Sequence, residues 1–139
     1  MNKEQSIQSV LRKLSAEPMK VELSNINELA QFTKQIMSQT SNVEDSHKVA
    51  QNKVDLIKKA KQDAKQDVSD LARTISNLDA NIERLDGAMM AFKRNAQELG
   101  VNIKDVREAV VAEKAIALGK DTIAKYSRFA DDMSKSLIG

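Results

Sequence analysis

Apolar residues recur at three- and four-residue steps over most of the chain, which predicts helix almost throughout. Residues 3–15 read as a short helix with Ile7, Val10, Leu11 and Leu14 on one face. Pro18 ends it, because a proline drives the residue ahead of it out of helical backbone, and 16–23 form a connector. A second helix is expected from Ser24 or Asn25, where Asn25 and Glu28 have the spacing of a capping box.

From there a heptad seam begins. Its a positions are Ile26, Thr33, Thr40, His47, Val54, Lys61, Val68, Ile75, Ile82, Met89 and Ala96. Its d positions are Leu29, Ile36, Val43, Ala50, Ile57, Ala64, Leu71, Leu78, Leu85, Phe92 and Leu99. The phase never changes, and chance does not sustain such a pattern. It predicts one long helix over 24–99, with roughly 42–99 as the central feature of the fold. Two readings of 39–41 compete. The unbroken phase favours continuity, whereas the weak helix formers Ser38 to Asn42 and the Ser41/Glu44 capping box favour a break or kink, and the balance tips towards a break.

The seam is graded. Val68 to Leu99 is apolar at every a and d position, while Thr33, Thr40, His47 and Lys61 interrupt the part before it. Asp86-Gly87 resembles a turn, but the seam runs on in phase, with Gly87 at an outward position, so the helix is expected to continue. Gly100 suits the left-handed residue that closes a helix, 100–102 form a turn, and Asn102 caps a last helix over 103–137. That helix carries its own seam: Ala109, Ala112, Ile116, Gly119, Ile123, Tyr126, Ala130, Met133 and Leu137, with Gly119 as a potential break and Asp121 as a re-cap.

The expected fold is all-α: a long antiparallel, coiled-coil-like helical hairpin with short N-terminal helices, in a single elongated domain over 1–139. A helix over 42–99 would be roughly 87 Å long, and the last helix roughly 52 Å. The last helix can therefore cover only the 64–99 half. The 26–64 half then needs partner subunits, or helix 24–39 folded back on it. Small residues at the e and g positions, such as Ala72 and Ala88, suit three or more helices in contact. A multi-helix bundle drawing on more than one chain is expected. The interface residues of this reading are Val54, Ile57, Val68, Leu71, Ile75, Leu78, Ile82, Leu85, Met89, Phe92, Leu99, Ile116, Ile123, Tyr126 and Met133. A charge at Leu78 or Leu85 should abolish assembly, and one at Thr40 should do much less.

Composition narrows the function classes. Only Phe32, Phe92, Tyr126 and Phe129 are aromatic, so aliphatic seams must supply the buried area. The net charge of +2 with interspersed signs argues against nucleic acid, whose phosphates need concentrated Lys and Arg. The absence of cysteine excludes a disulfide framework and a Cys-ligated metal. No apolar run is long enough for a membrane span. Met1 to Leu14 lacks the features of a signal peptide, which makes the cytoplasm the default location.

Candidate chemistry is thin. His47 has only Glu44 and Asp45 as metal-ligating neighbours, so a polar seam residue is the expected role. Asp131-Asp132 and the Asp79/Glu83/Asp86 group read as solvated faces, as does the stripe Lys58, Lys59, Lys61 and Lys65, with its interleaved aspartates. No phosphate loop, dinucleotide fingerprint, zinc-protease motif or nucleophile elbow is present, and no cofactor is expected. The leading expectation is a non-enzymatic structural protein, a self-associating coiled-coil building block of a large assembly. A virion or secretion apparatus would be an example, on architecture alone. An assembly chaperone or adaptor that takes a partner's helix on the weak seam is the alternative. An amphipathic lipid-surface binder is the third.

Overall fold

A computed structural model describes residues 4–16, 22–59 and 65–138, with side chains to Ser136. The elements are α1 (Ile7–Ala16), α2 (Leu23–Lys59), α3 (Lys65–Glu98), a single 3₁₀ turn (Ile103–Asp105) and α4 (Arg107–Ile138). The all-α expectation and the antiparallel α3–α4 hairpin both hold: Lys93 on α3 pairs with Glu113 on α4 at 3.1 Å, and Ile82 sits against Gly119.

The long helix does not exist as expected. In its place stand α2 and α3, and α3 runs antiparallel to α2. Lys53 meets Asp70, Ser46 meets Asn81 and Glu28 meets Asn95, so the partner's number falls as the first rises. Helix α4 returns parallel to α2, with His47 bonded to Thr122. The result is a three-helix bundle of helices of 37, 34 and 32 residues, each roughly 50 Å long. Lys61 and Ala64, the two seam positions between α2 and α3, lie outside the described residues.

Burial explains why folding back wins. In the hairpin Leu29, Ile36, Val43, Leu71, Leu78 and Leu85 are all fully buried. At about 1.5–3 kcal/mol per buried aliphatic side chain, these six contribute on the order of 10 kcal/mol gross. One continuous helix would offer in exchange only a handful of further backbone hydrogen bonds, at about 0.5–1.5 kcal/mol each. The weak half of the seam is thus covered by the strong half and by α4, within one chain. Neither partner subunits nor a folded-back 24–39 segment is required.

The break favoured near 39–41 is also absent: α2 is continuous helix through these residues. Thr33 and Thr40, polar interruptions of the seam, donate their hydroxyls to the carbonyls of Leu29 and Ile36 one turn back. Each is thereby buried with its polar group satisfied, and its methyl is left to pack. The two proposed capping boxes go unused. Glu22 provides the α2 cap through its carbonyl, which accepts from Asn25 and Ile26, and Glu28 reaches across to Asn95 instead.

Helix α3 runs through Gly87 and ends as expected at Gly100. There φ is +71°, Val101 N–H donates to Ala96 O and Gly100 N–H donates to Gln97 O, the two bonds of a Schellman motif. Asn102 caps only the 3₁₀ turn, accepting from Lys104 N–H. Val106 is extended, and α4 starts at Arg107 instead of 103, because the backbone there is held by the N-terminal segment: Arg107 N–H donates to Gln5 O. Gly119 does not break α4; it sits where Ile82 of α3 and Val43 of α2 leave no room for a β-carbon.

Gly87 is exposed in mid-helix, and a β-carbon there would meet nothing within 4 Å. Gly87→Ala is therefore expected to add about 1 kcal/mol of stability, through helix propensity alone. A urea melt should show a higher midpoint at unchanged slope. A lower midpoint would mean that the helix is not regular there.

Candidate interaction surface

The fifteen seam residues do come together, but inside the chain. Leu78, Ile82, Leu85, Met89 and Phe92 are buried in one cluster with Ile7, Val10, Leu29, Ile36 and Val106, and Leu99, Ile116 and Ile123 pack on it half-buried. Val54, Ile57, Val68, Leu71 and Ile75 form a second cluster, flanked by Tyr126 and Met133. A side chain buried in its own core has no area left for a second chain, so the ten buried members are core and not interface. Five of the fifteen, Leu99, Ile116, Ile123, Tyr126 and Met133, keep part of their surface.

Polar latches set the register of the bundle. Asn81 Nδ2 donates to Ser46 Oγ at 2.8 Å. Thr122 donates its hydroxyl proton to Leu118 O at 2.8 Å, which leaves its oxygen to accept from His47 Nδ1 at 2.7 Å. His47 is thus a half-buried polar seam residue that donates to a neighbouring helix. Asn95 is buried, its Oδ1 has no partner, and its amide nitrogen reaches Glu28 at 3.4 Å.

Lys53 joins α2 to α3 by hydrogen-bonding Asp70 at 3.3 Å and pairing with Asp67 at 3.5 Å. The Gln66 amide and then the Lys53 ammonium hold the Asp70 carboxyl below its ordinary range. The bond to Asp70 raises Lys53 above its own range. A depressed carboxyl stabilises the fold above its unfolded pKa and loses that contribution as the pH falls through the folded value. A raised lysine contributes below its unfolded pKa and loses it only in strong alkali. Acidification from neutral pH into the range below ordinary aspartate titration should therefore cost the wild type more stability than Asp70→Asn. Urea melts at the two pH values compare them, and equal losses would remove the latch.

The outer surface holds features that the seam pattern does not reveal. Met37 on α2 is 54% exposed, and Val111 and Leu118 on α4 are 40% and 45% exposed. Met37 and Val111 line one cleft of about 340 Å³ with Thr40, Glu44, Arg107 and Glu108, and Leu118 follows Val111 seven residues along the same face. Their signal in the sequence is weak: apolar residues off the seam, of which Val111 and Leu118 are one heptad apart. Asp131, Asp132, Asp79, Glu83 and Asp86 are exposed, as are Lys58, Lys59 and Lys65, and Lys58 lies over the Phe129 ring at 5.8 Å. Lys61 lies outside the described residues. Among the described residues no group of three or more His, Asp or Glu is placed to hold a metal ion, and no helix is long and apolar enough to cross a membrane. No protein-family model, curated protein or solved structure matches this chain.

Proposed function

We propose that the chain is a non-enzymatic structural or assembly protein, a rigid three-helix rod that self-associates as a building block of a larger complex. The observation that carries this reading is the line of exposed apolar side chains, Met37, Val111 and Leu118, along the α2/α4 edge. The core is complete without them, and exposed apolar side chains grouped on one edge are the usual mark of a contact surface. The strip is small against the roughly 800 Å² per partner of a stable interface, so each contact is weak and repetition supplies the strength.

Sedimentation velocity from micromolar to near-millimolar protein tests this. The average mass should rise with concentration. Met37→Glu with Val111→Glu should hold the chain monomeric with an unchanged melting temperature, because both sites are already exposed. A monomer at every concentration, or assembly indifferent to the double substitution, would count against the reading.

A further inference from the structure

Helix α1 differs from the other three in how it is held. Of its ten residues only Ile7 and Val10 are buried, with Leu11 and Leu14 half-buried on the same cluster. A helix of this length does not persist alone in water. Its N-terminal end is clipped to the start of α4 by polar contacts. Glu108 accepts from Ile7 N–H, at 2.9 Å to Oε2 and 3.3 Å to Oε1, which places a carboxylate on the positive end of the helix. Arg107 N–H donates to Gln5 O, and Lys114 pairs with the exposed Glu4 at 3.6 Å. Its other half is less closely fitted: Val10, Lys13 and Leu14 face Gly100, Val101, Asn102 and Asp105 across a cleft of about 160 Å³.

We infer that α1 is a displaceable strap over a helix-accepting groove, and that the groove takes an amphipathic helix of a partner protein built on the α1 pattern. The occupant's chemistry is that of the segment seated there. It needs an acidic residue two positions ahead of the cap, a backbone carbonyl for Arg107 N–H, a free helix N-terminus for the Glu108 carboxylate, and apolar residues three, four and seven positions after a first one. In this chain those are Glu4, Gln5, the helix start after Ser6, and Ile7, Val10, Leu11 and Leu14. The second core cluster contains no α1 residue, and the first lies mostly among α2, α3 and α4. Its tether gives α1 a high local concentration, so the groove stays closed to weak competitors and opens only to a helix that binds better. Arg107 and Glu108 also line the cleft at the α2/α4 edge, but peptide capture does not depend on self-association, and a strictly monomeric chain would leave this inference standing.

The test uses the full chain carrying Ile7→Asp and Val10→Asp, which empties the groove and leaves its walls intact. A fluorescent peptide of residues 3–16 should bind this variant at least about tenfold more tightly than it binds the wild type, whose groove is occupied. The same peptide carrying both aspartates should not bind. Glu108→Ala in the emptied chain should weaken capture by about tenfold, the scale of a lost charge-assisted hydrogen bond. Far-UV circular dichroism should show the emptied variant still melting cooperatively. Three results would overturn the inference: collapse of the bundle in the emptied variant, which would make α1 part of the core; equal peptide binding to both chains or to neither; and capture indifferent to Glu108.

Discussion

Leu78→Asp is expected to unfold the entire bundle. Leu78 is fully buried in the larger core cluster, where α3 meets α2 and α4. Truncating a buried leucine costs about 2–5 kcal/mol on its own. Leaving a carboxylate unpaired in that position adds several kcal/mol. Together these approach or exceed the roughly 5–15 kcal/mol that holds a domain of this size folded. The far-UV circular dichroism of the variant should show no cooperative transition, at any protein concentration. The same expectation extends to Thr40→Asp, which the graded seam would have placed among mild changes. Thr40 is 5% exposed and its hydroxyl is bonded to Ile36 O, so a carboxylate there is buried too. A folded Leu78→Asp monomer that had merely lost its partners would show that this residue belongs to an interface between chains.

Gly119 is a second position where substitution is expected to cost heavily. A β-carbon there would lie 2.5 Å from Ile82 Cδ1, 3.0 Å from Ile82 Cγ1 and 3.3 Å from Val43 Cγ1. Gly119→Val presses further atoms into both walls and is expected to cost about 3 kcal/mol, the upper range of overpacking. Gly119→Ala should cost less, because the gain in helix propensity of about 1 kcal/mol offsets part of the clash. Ile82→Val removes the atom that is struck first. Combined with Gly119→Ala, it should therefore be less harmful than the sum of the two single changes, by about 0.5 kcal/mol or more. Strict additivity in urea melts would show that α4 does not pass so close to α3.

The two sites explain what was legible in the sequence. Helical content, the buried faces and the Gly100 turn follow from periodicity and capping. Every a and d position from Ile26 to Ile57 and from Val68 to Ala96 is buried except His47, which is half-buried. The reversal between α2 and α3 was not legible. Val54 and Val68 are 14 residues apart, two whole heptads, so two separate seams read as one. The intervening Lys58 to Gln66 contains neither glycine nor proline, and apart from Asp63 it consists of good helix formers. The available signal was Lys61, a charge at a seam position, followed by Ala64 with little to bury. At 39–41 the misleading signal ran the other way. Weak local propensity and a capping box were overridden by packing on both sides, with the threonine hydroxyls satisfied within their own helix. The docking of α1 through Glu108 was invisible for a different reason, since it joins residues 101 positions apart and has no local pattern.

The central claim is that the apparent long helix is an intramolecular hairpin, and a distance measurement decides it. The chain has no cysteine, so Asp45→Cys with Arg84→Cys accepts spin labels at those two sites alone. Both are exposed and line the same cleft between α2 and α3. In a continuous helix 39 residues apart they would be separated by about 58 Å. In the hairpin, an interaxial spacing of about 8–10 Å plus the label arms gives about 10–20 Å. Pulsed electron–electron resonance on labelled protein diluted into unlabelled protein should return the short distance, unchanged by dilution. A distance near 58 Å, or a short distance that disappears on dilution, would contradict the hairpin and restore a long helix paired between chains.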